Sequence, residues 1–203
     1  EREPFPVEAL VEDIIALHAY AASQKNIKLL HAVERAVPSR CLGDRARIHQ
    51  VLSNLVENAI KYTPEGTVWV RVHAGDSGIT FRVEDSGIGI PAERLEHIFS
   101  PFVQADASMN RRYGGTGLGL AISKGLVASL GGELQAESRE GEGSTFAFTL
   151  PLEEEVPWTP SGLDRVASCG MHIDDPDLAE AFQAWMHRVG VEASPIDSLH
   201  DLE

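Results

Sequence analysis

Two asparagines and a lysine recur at helical spacing along residues 54–61, as Asn54, Asn58 and Lys61. Side chains four and three positions apart on an α-helix lie one above the other, so these three should project from one side of a helix. Asparagine offers a neutral oxygen to a hard cation that keeps water and phosphate oxygens as its other ligands, and lysine offers a charge to phosphate. The stripe could therefore hold a metal-bound triphosphate, although taken alone it is more simply explained as a solvated helix face.

The other side of the same segment predicts how that helix is held. Apolar side chains follow the complementary helical spacing, and they are Ile48, Val51, Leu52, Leu55 and Ala59. This pattern is typical of an amphipathic helix, near residues 44–62, that packs one side on a core. The polar stripe would then remain free for chemistry.

Two glycine-rich segments lie downstream of this helix. In residues 85–89, Asp85 and two glycines follow an alternating, strand-like run, and a strand exit is a place where backbone can approach a ligand closely. In residues 113–120, glycines precede apolar residues at helical spacing, which puts them at a helix N-terminus, where unpaired N–H groups favour phosphate. Read singly, either segment could equally be a plain turn.

Two familiar nucleotide-binding signatures are absent from the sequence. A P-loop requires Gly-x-x-x-x-Gly-Lys-Ser/Thr, and no such run occurs. The Rossmann fingerprint Gly-x-Gly-x-x-Gly is also missing, because Gly115, Gly117 and Gly119 are spaced two apart. The usual nucleotide-binding folds are therefore disfavoured.

Five motifs in this order resemble the boxes of the catalytic, ATP-binding domain of sensor histidine kinases, which belongs to a superfamily shared with DNA gyrase and the MutL ATPases. The motifs are Asn54-x-x-x-Asn58-Ala59-Ile60-Lys61, Asp85-Ser86-Gly87-Ile88-Gly89, Phe99-Ser100-Pro101-Phe102, Gly115-Thr116-Gly117-Leu118-Gly119-Leu120 and Gly141-Glu142-Gly143-Ser144-Thr145-Phe146. The residues flanking the third and fourth motifs look most like those of hybrid kinases, which carry receiver domains on the same chain.

The resemblance assigns roles to individual residues. It implies that Asn58, with Asn54 nearby, holds a magnesium ion bridging the phosphates, that Lys61 contacts phosphate and that Tyr62 lies against adenine. Asp85 would accept a hydrogen bond from the adenine amino group. Catalytic roles would fall to Asn54, Asn58, Lys61 and Arg112. The other residues assigned to the nucleotide are Gly87, Gly89, Ile90, Arg111, Arg112, Gly115, Thr116, Gly117, Leu118, Gly119, Leu120 and Thr145.

A mobile lid over the nucleotide is expected between the third and fourth motifs. Residues 104–116 are polar, end in glycine and lack a sustained apolar period, so we expect weak order without ligand. Arg111 or Arg112 would pair with phosphate charge as the lid closes and excludes water. Phe99 and Phe102 are predicted to be packing anchors at the lid hinge. A passive surface loop is the alternative for any single lid residue.

Asn54 bears on the kind of reaction. In the gyrase and MutL relatives this place holds a glutamate that positions the attacking water, and asparagine cannot act as a general base. Glu57 would point about 100° away from Asn58 on a helix, which indicates a surface residue or one with a secondary role. The site should therefore hold ATP for transfer to an outside nucleophile, with slow intrinsic hydrolysis.

That nucleophile should be a histidine of the dimerisation helix hairpin. A phosphoacceptor of this kind is followed by an acidic residue and then proline, inside a helix. Of the eight histidines only His200 precedes an acidic residue, and it has no helix to follow. We therefore expect the acceptor hairpin, and a receiver domain in cis or in trans, as partners supplied from outside this sequence.

The pattern of elements predicts an α/β fold, in detail a two-layer α+β sandwich. Helices are expected near Val7–Ser23, 44–62, 91–97 and 117–130, and strands near 26–30, 67–74, 79–85, 132–138 and 144–150. The sheet should be mixed and mostly antiparallel with helices on one face. The resemblance implies the Bergerat-type ATP-binding fold.

The chain is predicted to divide into three parts. Residues 1–151 would be the ATP-binding domain, 152–162 an acidic, proline-containing linker, and 163–203 a partial receiver-like segment or an irregular tail. In the last part a strand at 164–171, a helix at Leu178–Val189 and a strand at 191–196 resemble the opening of a receiver domain. There, acidic residues such as Asp174 and Asp175 help to bind magnesium.

Composition excludes several classes of function. The 203 residues carry a net charge of −14, which argues against nucleic acid as a partner. Cys41 and Cys169 lie far apart and imply no disulfide framework, which fits a reducing cytoplasm. No apolar run approaches ~18 residues, so no membrane contact is expected of this sequence. It is expected to be a cytoplasmic domain, and other parts of a full-length protein could anchor it in the bacterial inner membrane.

Two hypotheses from different classes follow. The first is the ATP-binding catalytic domain of a hybrid histidine kinase, which passes the γ-phosphate to histidine. The second is a kinase-like regulatory module that acts mainly by contacting a partner kinase or receiver. The intact asparagine, aspartate and glycine motifs favour the first.

Overall fold

The computed structural model describes residues 2–102, 117–156, 168–171, 173 and 175–195. In chain order the elements are β1 (Glu3–Pro6), α1 (Val7–Ser23), β2 (Ile27–Val33), β3 (Arg40–Gly43), α2 (Arg45–Tyr62), β4 (Gly66–Gly75), β5 (Gly78–Asp85), α3 (Ala92–Leu95), α4 (Gly119–Ser129), β6 (Glu133–Arg139), β7 (Gly143–Leu150), β8 (Glu153–Val156), β9 (Ser168–Met171), α5 (Pro176–Arg188) and β10 (Glu192–Pro195).

The main sheet has five strands in the spatial order β2-β4-β5-β7-β6. Only β2 and β4 are parallel, and the other neighbouring pairs are antiparallel. Because successive residues of a strand point to opposite faces, Val68, Val70 and Val72 of β4 face one side together, and all three are fully buried. Helices α1, α2 and α4 belong to the core layer on that side. The predicted two-layer fold with a mixed, mostly antiparallel sheet is confirmed.

The apolar stripes that predicted α1 and α2 form the core between the layers. In α2 the predicted positions Ile48, Val51, Leu52, Leu55 and Ala59 are all buried. In α1 the buried stripe runs from Val7 to Ile14, whereas Leu17 is 59% exposed and lies outside it. Burying such side chains is the main favourable contribution to packing helices on a sheet.

Helix α2 carries the polar stripe and is fixed at both ends. At its start the carboxylate of Asp44 accepts a hydrogen bond from the backbone N–H of Arg47 at 3.0 Å. At its end the ammonium of Lys25 donates to the carbonyl oxygens of Ile60 and Lys61, at 2.7 and 2.8 Å, and also to that of Thr63, at 3.3 Å. A cation there satisfies carbonyls that lack intrahelical partners and interacts favourably with the helix dipole.

A second sheet, of order β1-β3-β8, was not predicted from the sequence. Its strands are four residues long, and they lack the alternation of apolar and polar residues that marks longer strands. The prediction that residues 152–162 form a linker is therefore wrong for Glu153–Val156, which pair with β3. Residues 157–162 lie outside the described residues. Burial raises the pKa of the Cys41 thiol in β3 to about 11, so this cysteine is unreactive at neutral pH.

The C-terminal segment forms a strand, a helix and a second strand, as predicted. Strands β9 and β10 are parallel and α5 connects them, which makes a β–α–β unit. Helix α5 packs on β2, on the side of the sheet away from α1 and α2. We call this side of β2 and β4 the second face; its residues include Lys28, Thr67, Trp69 and Arg71. The prediction of helices on one face only is therefore incomplete, because α5 covers part of the other.

Among the described residues, no helix combines the length and apolar character that crossing a membrane requires.

Candidate functional site

Three predicted side chains and one glycine form what we call the open end of the site: Asn54, Asn58, Lys61 and Gly119. The side-chain amide of Asn54 donates to the hydroxyl of Ser123 at 2.8 Å, which links α2 to α4. A Cβ atom at Gly119 would lie 2.4 Å from the side-chain oxygen of Asn54, so a larger residue there would displace the Asn54 carboxamide. The polar stripe of α2 and the glycine-led start of α4 thus meet, as the nucleotide interpretation requires.

Ser123 is a site-positioning residue that sequence reasoning missed. Its side chain is buried, with the residue 2% exposed. A signal was present, since Ser123 follows Gly119 by four positions and therefore lies on the same side of α4.

Asn58 and Lys61 continue the stripe toward the end of α2. Asn58 is half-buried and its side chain makes no hydrogen bond within the described part of the chain, so its carboxamide is available to a ligand. The ammonium of Lys61 lies 5.0 Å from the centroid of the Tyr62 ring. The group predicted to meet phosphate and the ring predicted to meet adenine are therefore neighbours.

The other half of the site is what we call the enclosed end: Thr63, Asp85, Gly87 and Ser144. The backbone N–H of Gly87 donates to the Asp85 carboxylate at 2.9 Å, and the N–H of Ile88 donates to the carbonyl of Tyr62 at 3.2 Å. A Cβ atom at Gly87 would lie 2.5 Å from the Tyr62 carbonyl oxygen and 2.8 Å from the Asp85 carboxylate. Glycine is thus what lets the strand exit pack under the end of α2.

The Asp85 carboxylate at the enclosed end is less well solvated than a carboxylate in water. Burial raises the pKa of Asp85, and hydrogen bonds from the backbone N–H groups of Gly87 and Ser144 partly offset this rise. A partly desolvated carboxylate that retains acceptor capacity gains most from a donor brought by a ligand. The adenine amino group is a donor of that kind.

Thr63 adds a buried hydroxyl to the enclosed end. Its hydroxyl has no hydrogen bond within the described residues, and the residue is fully buried. The hydroxyl would lie 2.9 Å from a Cβ at Gly87, so it belongs to the same end. A buried hydroxyl in this state marks a position that a water or ligand atom fills.

The residue beside Asp85 on β7 is Ser144, and the prediction of Thr145 is wrong for this end. Ser144 is the cross-strand partner of Asp85, whereas Thr145 is paired with Glu84. Since neighbouring residues on a strand point to opposite faces, the Thr145 side chain lies on the face away from Asp85. The motif therefore contributes to the enclosed end through Ser144, one residue before the predicted Thr145.

Gly89 and Ile90 hold the strand exit against the β6–β7 turn. Gly89 has φ of 67°, and a Cβ there would lie 2.0 Å from the carbonyl oxygen of Arg139. The N–H of Ile90 donates to the hydroxyl of Ser138 at 2.8 Å. Ser138 was missed from the sequence because it lies in an alternating strand with no motif around it. Ile90 therefore supports the site through its backbone.

The glycine motif is only partly within the described residues. Gly117, Leu118 and Leu120 are half-buried at the start of α4, and Leu120 packs against the core. The predictions for Arg111, Arg112, Gly115 and Thr116, like the predicted lid over 103–116, lie outside the described residues.

The segments before and after residues 103–116 are joined by a hydrogen bond from the Phe102 N–H to the Gly117 carbonyl at 3.1 Å. The anchor prediction holds for Phe99, whose ring packs edge-on to Phe146 with centroids 6.4 Å apart. It is wrong for Phe102, which is 76% exposed.

The donor set suits magnesium held jointly with phosphates. No cluster of three His, Cys, Asp or Glu that could bind a metal occurs within the described ranges. The described residues therefore do not form a metal site made of such protein ligands alone. Magnesium prefers a few protein oxygens together with water and phosphate, and the free carboxamide of Asn58 meets that requirement. The oxygen of Asn54, packed against Gly119, lies at the same end.

Comparison with known proteins identifies the domain. Residues 43–154 match the model of the histidine kinase-, DNA gyrase B-, and HSP90-like ATPase family. The sensor histidine kinase GacS of Pseudomonas protegens is 37% identical over 98% of this chain, which covers 23% of GacS. The hybrid signal transduction protein dokA of Dictyostelium discoideum is 41% identical over 77% of the chain and 10% of its own length. The chain thus spans less than a quarter of either relative.

Solved structures give the same result. The crystal structure of full-length ShkA in complex with AMPPNP is similar over 99% of this chain and 42% of that chain, with a TM-score of 0.83 and 28% identity. The histidine kinase ThkA in complex with the response regulator protein TrrA is similar over 74% of this chain and 41% of that chain, with a TM-score of 0.61 and 30% identity. The similarity to ShkA extends through the C-terminal β–α–β unit.

Proposed function

The chain belongs to the histidine kinase-, DNA gyrase B-, and HSP90-like ATPase family, and on that premise we propose that it is the ATP-binding catalytic domain of a two-component sensor histidine kinase. It binds Mg-ATP between α2, the exit of β5 and the start of α4. It donates the γ-phosphate to a histidine on a dimerisation hairpin supplied by the full-length protein.

The observation that carries the proposal is the contact between Asn54 and Gly119. It brings the polar stripe of α2 against the glycine-led N-terminus of α4, where backbone N–H groups and the helix dipole favour phosphate. Asp85 stands at the C-terminal end of α2, near the carbonyl of Tyr62. A ligand with a hydrogen-bond donor at one end and several negative charges at the other fits this arrangement.

Each residue then contacts a different part of the nucleotide. Asp85 accepts from the adenine amino group, and Tyr62 covers the ring. Asn58 offers an oxygen to magnesium, which neutralises phosphate charge when it is bound. Lys61 adds a positive charge, and the N–H groups near Gly117 and Gly119 donate to phosphate oxygens.

Phosphoryl transfer needs positioning and charge stabilisation more than a base in this domain. The amide of Asn54 donates to Ser123, and an amide cannot take a proton from water. Of the described histidines, His18 accepts from or donates to Ser53 at 2.9 Å, and His73 pairs with Glu34 at 2.8 Å. Both are contacts within the folded domain, and we expect the acceptor histidine on the dimerisation hairpin of the full-length protein.

Partners and location follow from the same proposal. A receiver domain, in cis or in trans, takes the phosphate onward; the ThkA structure contains a response regulator, and dokA is a hybrid protein. The domain works on the cytoplasmic side of a full-length protein that other segments anchor in the bacterial inner membrane.

Calorimetric titration with ATP and ADP, with and without magnesium, tests the proposal. We expect binding of both nucleotides, tighter ATP binding with magnesium, and weaker binding of GTP. Asp85→Asn should weaken ATP binding by about 10- to 100-fold, because a hydrogen bond to a charged group contributes about 1.5–3 kcal/mol. Asp76→Asn, at the exposed β4–β5 turn, is the matched control and should leave affinity unchanged.

Absence of ATP and ADP binding by the unaltered chain would refute the catalytic proposal and favour a regulatory module. Equal affinities of the unaltered chain and Asp85→Asn would refute the role of Asp85 alone. Phosphate transfer to a histidine, assayed in the full-length protein, tests the reaction itself.

A further inference from the structure

The second face of the sheet carries positive charge where helix α5 carries negative charge. The ammonium of Lys28 lies 2.8 Å from the carboxylate of Asp175 and 3.2 Å from that of Asp177. The guanidinium of Arg71 lies 2.7 Å from Glu180 and stacks on Trp69 at 3.9 Å. The N-terminal turns of α5 are therefore matched to this part of the sheet.

The other end of α5 is anchored by the buried Arg188. The Arg188 side chain is 3% exposed, and its guanidinium donates to the Glu8 carboxylate at 2.7 Å. It also donates to the carbonyl oxygens of Glu34 and Val37 at 2.9 and 3.2 Å. Acidic groups at one end of α5 and a cation at the other fix both its position and its direction on the sheet.

Asp175, one of the two acidic residues that the receiver resemblance gave to magnesium, has protein partners here, whereas Asp174 lies outside the described residues. Asp175 caps α5 by accepting from the N–H groups of Asp177 and Leu178, at 3.1 and 3.3 Å, and it pairs with Lys28. The hydrogen bond from Lys28 holds the pKa of Asp175 below its ordinary value, so the carboxylate stays charged for this contact.

A single residue connects this contact to the nucleotide site. The hydroxyl of Thr67 donates to Asp177 at 3.0 Å. The backbone N–H of Thr67 donates to the Ser86 hydroxyl at 2.9 Å, and the N–H of Ser86 donates to the Thr67 carbonyl at 3.1 Å. Ser86 stands between Asp85 and Gly87, so Thr67 contacts both α5 and the turn of the enclosed end.

We propose that the second face is a docking surface for the chain's own C-terminal unit, and that docking of α5 orders the Asp85–Gly87 turn through Thr67. The C-terminal unit then acts as what we call a brace, a regulatory support for the site. Any partner or modification that displaces α5 from the second face makes the Asp85–Gly87 turn less ordered. The exposed ion pairs are individually weak and screened by salt, so the contact is reversible, with Arg188 as its anchor. This inference does not depend on the proposed function, because it concerns backbone order without ligand.

Amide hydrogen exchange of the whole chain without nucleotide tests both parts. Arg188→Met keeps the side-chain bulk and removes the anchor charge. We expect exchange across residues 176–188 to become faster by about tenfold, and exchange at Ser86 to rise with it. Arg139→Met is the control, because Arg139 pairs with Glu142 on an exposed turn at 3.0 Å, and both readouts should stay unchanged.

Lys28→Glu is a second variant that tests the same contact if Arg188→Met fails to fold. Lys28 is 46% exposed, so its replacement should leave the core intact. It should accelerate exchange in α5 and at Ser86 by several-fold, with Arg139→Glu as its control. Thr67→Val removes only the connection, so exchange at Ser86 should rise while α5 keeps its protection.

Unchanged α5 protection in Lys28→Glu would overturn the docking surface. Faster exchange in α5 with Ser86 unchanged, in Lys28→Glu or in Arg188→Met, would overturn the brace. Thr67→Val with unchanged exchange at Ser86 would overturn the role of Thr67 in it.

Discussion

The two ends of the site are built in opposite ways. At the enclosed end, Thr63 and Gly87 are buried, and the Asp85 carboxylate is held by hydrogen bonds from backbone groups. At the open end, Asn58 is half-buried without a hydrogen-bond partner among the described residues, and Lys61 lies over a neighbouring ring. The fold itself thus satisfies the Asp85 carboxylate in part, whereas the carboxamide of Asn58 is left for what binds there.

This difference suits the two halves of a nucleotide. A base is rigid and uncharged, so a fixed pocket with one well-placed acceptor can select it. A triphosphate with its metal ion changes shape and charge during reaction, so adaptable side chains can follow it. Substitution of Gly87 should therefore alter both folding and binding, and substitution of Asn58 binding alone.

The largest expected effect is at Gly87. Gly87→Ala puts a Cβ 2.5 Å from the carbonyl oxygen of Tyr62, which should lower the free energy of unfolding by about 1–3 kcal/mol and ATP affinity by about 100-fold. Gly125→Ala is the control, because nothing lies within 4 Å of its Cβ position; it should raise stability by up to about 1 kcal/mol without changing affinity. Thermal unfolding and calorimetry check both. Unchanged ATP affinity in Gly87→Ala would contradict the proposal that close packing at Gly87 is needed for binding.

The next effect concerns pH at the same end. Because burial raises the pKa of Asp85 above 3.8, the carboxylate that we propose as the adenine acceptor is lost at a higher pH than usual. ATP affinity should be constant near pH 7 and fall by about tenfold per unit once pH drops below that raised pKa.

The same shift acts on stability with the opposite sign. The folded chain holds this proton more tightly than the unfolded chain, so the contribution of Asp85 to stability decreases as pH rises from 3.8 through the raised pKa. The ATP affinity of Asp85→Asn should be measured over the same pH range, because it shows how much of the pH dependence comes from the protons of ATP itself. If the two affinity profiles have the same shape, Asp85 does not titrate in binding.

At the open end, Asn58→Ala should separate binding from folding. Magnesium-dependent ATP affinity should fall by about tenfold, whereas affinity without magnesium should change by less than about twofold. The free energy of unfolding should stay within about 0.5 kcal/mol, because the side chain has no protein hydrogen bond to lose in the described part. Glu57→Ala, at an exposed position next to it, is the control. A large loss of stability in Asn58→Ala would break the contrast between the two ends.

The smallest effect is expected for Thr63→Val. Removing a buried hydroxyl without a partner should leave stability unchanged or raise it by up to about 1 kcal/mol, while ATP affinity falls about threefold through loss of a ligand or water contact. Thr80→Val provides the opposite control, because the Thr80 hydroxyl bonds to that of Thr149 at 2.8 Å and its loss should destabilise. A clear drop in the stability of Thr63→Val would mean that this hydroxyl has a partner in the folded chain.

How much of the fold and the site could be predicted depends on how far apart in the sequence the interacting residues lie. The helical period of residues 48–59 predicted α2, and its buried stripe, because helix packing repeats every turn. The contact of Asn54 with Ser123 joins residues 69 positions apart, and spacing within one segment carries no information about it. The same holds for Arg188, whose partner Glu8 is 180 positions away.

Thr145 shows a different limit. Its motif was recognised, but a shift of one residue reverses the face of a strand, and the pairing of Asp85 with Ser144 is a property of the assembled sheet. Strands β1, β3 and β8 were missed because four residues are too few for a visible period, and pairing among themselves defines them.

The lysine that caps α2 has a consequence for ligand affinity. Lys61 and Tyr62 are the last two residues of α2, and helix ends ordinarily fray. Lys25, 35 positions before Ile60, holds the final carbonyl groups in place. The conformational entropy of that last turn is therefore lost once, when the chain folds, and is not lost again when a ligand arrives. Part of the binding affinity thus originates in a residue whose own contacts are with protein carbonyls.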